Sequence, residues 1–245
     1  MDYKDFLSGQ TRNNFWSMAK RDLIDLILSR FVKPAFEGRQ PPSILNVGAG
    51  IGDDLCILNG HGAVTVVDID EKALDIIPAS SCVEKRVADI INLPFTNESF
   101  DVVTCFDVFE HVPDDVRAFH EVHRVLKPGG LLVFTVPAFQ VLFSGHDRVL
   151  KHARRYDRRM LLGRLDQFSI VFLSYWNCVL FLPVAVRRVL SKSAPSREDL
   201  VTFSRSTNII LFHLLHLENL FLEKRVQLPF GLSLVGICKK FGFLG

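Results

Sequence analysis

The stretch Ile44-Leu45-Asn46-Val47-Gly48-Ala49-Gly50-Ile51-Gly52 decides the fold. Four residues of strand character run into three glycines at alternate positions, and a helical pattern opens near 52–59. Glycines at such a turn reach backbone angles closed to other residues and let N–H groups approach a ligand closely. The next apolar run, AVTVVD (63–68), ends on Asp68, 20 residues after Gly48. An acidic side chain there can accept hydrogen bonds from a ribose diol, so the pattern predicts an adenosine-type cofactor.

Glycine spacing distinguishes two such cofactors. A dinucleotide loop of the form GxGxxG would place its third glycine at position 53, where this chain has Asp53. A carboxylate at a helix N-terminus repels a pyrophosphate. S-adenosylmethionine has no phosphate and carries a positive sulfonium, so an acidic mouth suits it better than it suits NAD.

Outward from this loop, strand-like runs alternate with helical ones: a helix at 71–77, CVEKRVAD as a third strand, FDVVTCFDV as a fourth, a helix at 113–125, a PGG turn at 128–130 and a fifth strand, LLVFTV. The alternation predicts right-handed βαβ units and a parallel sheet. Upstream, residues 11–32 place Phe15, Met18, Leu23, Leu26 and Ile27 at helical spacing, and the break PAFEGRQPP ends that helix. Downstream, a basic stretch leads into a helix ending near Leu165, FSIVFLSYW reads as a sixth strand and GLSLVGICKK (231–240) as a seventh. Between them lies an apolar insertion, 177–230, of two or three helices.

Composition bounds the function. The 245 residues are 48% hydrophobic and 23% charged, ordinary for one globular domain, and 29 Lys+Arg against 27 Asp+Glu leave a net charge of +2. That balance argues against nucleic acid as a partner, and no DPPY-type amine motif is present. The 21 Phe and a mean hydropathy of +0.21 exceed what one core requires. Five dispersed cysteines (Cys56, Cys82, Cys105, Cys178, Cys238) without a CxxC pair, and an acidic, polar N-terminus unlike a secretory signal, predict a cytoplasmic protein. The 17 uncharged residues of 170–186 read as a buried strand turning into a short helix, with a peripheral membrane contact as the second reading.

ILNVGAGIG, VVDID, VADIINLPF, SFDVVTCFDVFEHVPD and RVLKPGGLLVFTVP, in this order, resemble the class I S-adenosylmethionine-dependent methyltransferases, closely over 43–137. The remainder resembles a bacterial and archaeal subgroup of the methyltransferase type 11/12 kind: an FWxxxxR element (Phe15, Trp16, Arg21), an HDxxLxHxRRY segment (His146 to Tyr156) and a terminal LPFGLSL strand. The resemblance implies an α/β fold, a doubly wound, mostly parallel, seven-stranded Rossmann-like sheet with its last strand antiparallel. A single domain would comprise an N-terminal helical cap (1–40), a cofactor-binding core (41–137), a substrate-side segment with the sixth strand (138–176), the helical insertion (177–230) and the last strand (231–245).

Carried over by position, Gly48, Ala49, Gly50 and Gly52 would shape the loop against methionine and ribose, and Asp68, with Ile69 beside it, would hold the ribose. Asp89 and Ile90 would bind and cover the adenine, and Phe106 and Asp107 would line the methionine end. Asn46 stands where such families usually have Asp or Glu, and supplies no charge for the methionine ammonium. Trp16, His152, Arg155 and Tyr156 would meet the acceptor.

Methyl transfer from a sulfonium is an in-line displacement that chiefly needs alignment and exclusion of water. A hydroxyl acceptor also needs a base. Histidines titrate near working pH, which makes His111 and His146, the latter beside Asp147, the candidates. KHARRYDRR (151–159) reads as a clamp for an anionic group or as a solvated helix face. No metal-ligand cluster is visible. The helix at 207–225, with His213, His216, Asn219 and Glu223 on one side, reads as a core-closing helix or as a lid over an apolar acceptor, with a basic rim at Arg187, Arg188 and Lys192. The acceptor is expected to be a small molecule or a lipid-linked compound, methylated at oxygen, with S-adenosyl-L-homocysteine as the co-product. The rivals are a non-catalytic cofactor-binding or membrane-associated module and an NAD-dependent reductase.

Overall fold

The computed structural model describes residues 14–190 and 203–242. Among them, β1 (Ser43–Val47), β2 (Ala63–Asp68), β3 (Glu84–Val87), β4 (Phe100–Phe106), β5 (Leu126–Pro137), β6 (Phe168–Trp176) and β7 (Ser233–Lys240) form one sheet in the order β3-β2-β1-β4-β5-β7-β6. The first five pair in parallel. β7 lies antiparallel between β5 and β6. The apolar runs of β1, β4 and β5 are buried on both faces, as strands covered by helices on both sides require. The chain winds outward from β1 to β3 and then returns to place β4 against the other side of β1. At that reversal a crevice opens beyond the carboxyl ends of the strands. The glycine loop, Asp68 and Asp107 all follow strands at this end.

Three elements differ from the sequence reading. The PGG turn at 128–130 lies inside β5, where the register jumps from Phe100↔Leu126 to Val102↔Leu131, a bulge accommodated by Gly129 at φ +78°. The segment 170–186, by contrast, follows its first reading as a strand turning into a short helix, and divides at Asn177, whose φ is +62°. Seven of its residues finish β6, and the remainder enters α7 (Phe181–Leu190). Among the described residues no helix is long and apolar enough to cross a membrane. The helix expected over 11–32 is α1 (Phe15–Ile27), capped by the Asn14 side chain and followed by a π-helical turn, Leu28–Val32; positions 11–13 lie outside the described residues.

The third difference concerns α8 (Arg205–Glu223). Two of the polar residues expected on one side of this helix, His216 and Asn219, turn towards α1, while His213 is exposed. Asn219, fully buried, donates to the Ala19 carbonyl (2.9 Å) and to Asp22 (2.8 Å), and accepts from Trp176 Nε1 at 2.8 Å. His216 pairs with Asp22 at 2.8 Å, and Glu218 accepts the backbone N–H groups of Cys178 and Val179. The apolar residues Ile209, Ile210, Leu214, Leu217 and Phe221 are exposed.

Candidate active site at the carboxyl ends of the central strands

The glycine loop is tied to β2: the N–H groups of Gly48 and Ala49 both donate to the Val67 carbonyl, at 2.8 and 3.1 Å. Gly48 has φ +71°, and a Cβ there would collide with Val108. Gly50, at φ +51°, opens onto free space, with nothing within 4 Å of where a Cβ would lie. Its N–H donates to Asp68 Oδ2 at 2.7 Å, and Asp70 donates to Asp68 Oδ1 at 2.9 Å. These two bonds fix the carboxylate and leave each oxygen a further lone pair. Ile69 beside it is 70% exposed, a large apolar side chain laid open at the crevice.

Asn46 is buried and accepts from Thr104 Oγ1 at 3.0 Å. Asp89 accepts the Ile91 N–H at 3.1 Å. Ile90 belongs to the packed core beneath, so its contribution is packing and not an open apolar face. Gly52 completes the loop, packed over Leu55 and Ile77.

At the end of β4 a cluster appears that sequence reading missed in part. Asp107, at φ +57°, receives the Lys20 ammonium at 2.7 Å and the Thr135 hydroxyl at 2.9 Å. Lys20 comes from α1 and lies 5.9 Å above the Phe106 ring. Burial pulls the Lys20 pKa down, but Asp107, Asp54 and Glu110 together raise it above its ordinary value. Burial pushes Asp107 up, and Lys20 and Thr135 overcome it, leaving Asp107 low. Asp54 and Glu110 are both raised, by burial first.

Glu110 and His111 form a short 3₁₀ turn after β4. The Ala153 N–H donates to the Glu110 carbonyl at 2.7 Å, which brings the basic segment alongside. The rings of His111 and His152 then meet edge to face, centroids 4.6 Å apart. Burial, with His152 second, pushes the His111 pKa down to about 4.

The expected His146–Asp147 pair gives way to another. Neighbours on a helix point in different directions, and Asp147, fully buried, turns to His152 Nδ1 at 3.1 Å. It also receives Arg155 Nε (2.8 Å), Arg188 Nη1 (3.0 Å) and the Ser144 N–H (2.8 Å). These bonds outweigh its burial and hold its carboxyl well below the ordinary range. Burial, then Arg188, pushes the His146 pKa down to about 4.

Arg155 and Tyr156, expected at the acceptor, are buried, with their polar atoms engaged internally. Arg155 also donates to the Ala138 carbonyl at 3.2 Å. The Tyr156 hydroxyl bonds Asp115 Oδ2 (2.9 Å) and the Phe109 carbonyl (3.1 Å). Both residues build the wall behind the His111–His152 pair. Trp16 packs on Trp176 with ring centroids 5.0 Å apart. Of the expected basic rim, Arg188 turns inward to Asp147, and Lys192 lies outside the described residues. On α7, Leu182, Val186, Val189 and Leu190 are exposed.

Residues 45–134 match the family model for a methyltransferase domain. The demethylmenaquinone methyltransferase of Staphylococcus epidermidis is 37% identical over 97 residues, 36% of this chain and 40% of that protein. The enzyme of the same name from Clavibacter sepedonicus is 31% identical over 147 residues, 57% of this chain and 58% of that protein. The chain thus spans about half the length of the curated relatives it matches. A SAM-dependent methyltransferase from Methanosarcina mazei superposes with a TM-score of 0.54 at 17% identity, over 86% of this chain and 98% of that one, a likeness of fold.

Proposed function

We propose that this chain, whose residues 45–134 are a methyltransferase domain of the class I S-adenosylmethionine-dependent type, transfers a methyl group to an oxygen of a small-molecule or lipid-linked acceptor. The observation that carries the reading is the gathering of Asp54, Asp107 and Glu110 around one cation, Lys20, beside the glycine loop. Such a well suits a positively charged cofactor and repels a pyrophosphate, which disfavours the reductase. The loop also fits an adenosine: Gly50 borders open space, Asp68 keeps lone pairs for a diol, and Ile69 offers an apolar face. Gly48, Gly50, Asp68, Ile69, Asp89 and Asp107 would hold the cofactor.

S-adenosylmethionine supplies an electrophilic methyl on a sulfonium and departs as S-adenosyl-L-homocysteine. The chain's own part is placement. Asp107 sits between the glycine loop and the His111–His152 pair, so the acceptor oxygen belongs at that pair. There a hydroxyl acceptor would pass its proton to His152 Nε2, and Asp147 acts as a positioning residue by holding the His152 ring through Nδ1. His111 and His146, both pushed down to about 4 by burial, have the weaker claim as bases. Orientation of this kind supplies up to ~7–11 kcal/mol of a barrier in favourable cases.

The relatives named demethylmenaquinone methyltransferase support a small-molecule acceptor. The exposed apolar faces of α7 and α8 support one with an apolar portion, and a peripheral membrane contact with it. The test incubates the purified chain with methyl-labelled cofactor and host-cell extract, then separates lipid from aqueous phases. Alkali-stable label entering the organic phase, followed by identification of a methyl ether, is expected. Label confined to the aqueous phase removes the lipid-linked acceptor, and no label in either removes catalysis in favour of a binding module.

A further inference from the structure

We propose that Glu110, His111 and His152 bind a divalent first-row transition-metal ion. Each offers one ligand-type atom, and the three atoms lie within 4.8 Å of one another. Two imidazoles and one carboxylate are a donor set for zinc, iron, cobalt or manganese, and leave further positions open for an incoming oxygen.

A second observation, independent of that spacing, points the same way. Glu110 is 1% exposed, and its Oε2 is buried with no hydrogen-bond partner among the described residues. A buried, unpartnered carboxylate oxygen is costly, and a bound cation satisfies it. A third concerns the ring next to it. Asp147 Oδ1 accepts a hydrogen bond from His152 Nδ1–H at 3.1 Å, which leaves Nε2 of the neutral ring as the lone-pair nitrogen. A carboxylate behind a ligating histidine is the arrangement that fixes ring and tautomer at metal sites. Asp147 is itself held by Arg155 and Arg188, so the His152 ring is fixed before any ion arrives.

The sequence hides this set because His152 is distant from Glu110 and His111, and tertiary bonds such as Ala153 N–H to the Glu110 carbonyl and the Tyr156 hydroxyl to the Phe109 carbonyl bring them together. The site itself stands on this geometry. Its use rests on the methyl-transfer reading above: with an ion bound, His111 and His152 are ligands and not bases, and the ion would lower the acceptor hydroxyl's pKa so that its proton leaves to water.

The experiment strips the full chain with a chelator and titrates it with Co²⁺ alone, following visible absorption and calorimetry, with Zn²⁺ as competitor. Expected is one equivalent of Co²⁺ with the ligand-field bands of nitrogen and oxygen donors, displaced by Zn²⁺. Binding should weaken at least tenfold in Glu110→Gln and in His111→Gln; if Glu110→Gln does not fold, His111→Gln decides alone. Absence of binding, binding unchanged in both variants, or a thiolate-to-cobalt charge-transfer band from Cys56, Cys82 or Cys178 would each overturn the site. S-adenosylhomocysteine binding to the metal-free chain is measured beside it. Intact binding of that ligand with no metal site leaves the methyl-transfer reading standing, and a metal site without it does the reverse.

Discussion

Lys20 on α1 and Asp107 after β4, 87 positions apart, meet at 2.7 Å in the mouth of the crevice. The contact joins the N-terminal helix to the strand end that closes the cofactor side of the site. Under the proposed function, a methionine ammonium entering the crevice would compete with Lys20 for Asp107.

Replacing Lys20 with Met therefore has two expected effects. Asp107 loses its partner, costing about 1–2 kcal/mol once the part-exposure of both side chains is allowed for. It is also left open to the ligand, so S-adenosylhomocysteine should raise the melting temperature of Lys20→Met by more than that of the parent. Thermal unfolding with and without the ligand checks this. A smaller shift in the variant would mean that Lys20 helps to bind the cofactor.

The half of the site that follows contiguous motifs was legible in the sequence. Gly48, Gly50 and Asp68 lie on one strand–turn–helix unit and its neighbour, where local spacing fixes geometry. Lys20 and Glu110 were not, and His152 was expected at the acceptor without its partners His111 and Asp147, because these meetings depend on how α1 and the 151–156 segment pack against the end of β4. Asp147 was paired with His146 by adjacency, whereas the helix sends its carboxylate to His152. On α8 the apolar periodicity suggested which side packs inward, but hydrogen bonds of Asn219, His216 and Glu218 reverse it. β1, β2, β4 and β5 were legible because parallel strands buried on both faces must be continuous apolar runs.

Asp68→Ala tests the cofactor side directly. The variant leaves ribose hydroxyls without an acceptor and the Gly50 N–H without its 2.7 Å partner. Affinity for S-adenosylhomocysteine, measured by calorimetry, should fall by about 1–3 kcal/mol, roughly 5- to 150-fold. Unchanged affinity would remove Asp68 from the site.

Tyr156→Phe separates the wall from the chemistry. The substitution removes the hydroxyl from the Phe109 carbonyl, which keeps the Val112 N–H, and from Asp115, which keeps its ion pairs with Arg154 and Arg164. Stability in urea should drop by about 1–2 kcal/mol, and the methylation rate of the folded variant should change little. A large loss of rate at unchanged stability would return Tyr156 to the acceptor.

The last prediction follows from the pH dependence built into the same region. His146 and His111 are both pushed down to about 4 from 6.5, by burial first in each case. Between those values the unfolded chain binds protons at these positions that the folded chain does not, so stability rises with pH there and is lost as pH falls from 6.5 towards 4. Asp147 is depressed instead, and its contribution is present above the ordinary carboxylate value and fades only below it. The parent should thus lose stability in two stages, histidine-driven and then carboxylate-driven. His146→Gln should remove about half of the slope in the first stage, ~1–2 kcal/mol with solvent screening allowed for, and leave the second in place. Urea midpoints between about pH 2 and pH 7 give the profile. If His146→Gln follows the parent throughout, His146 is charged in the folded chain, and the partial burial beside Arg188 does not hold it neutral.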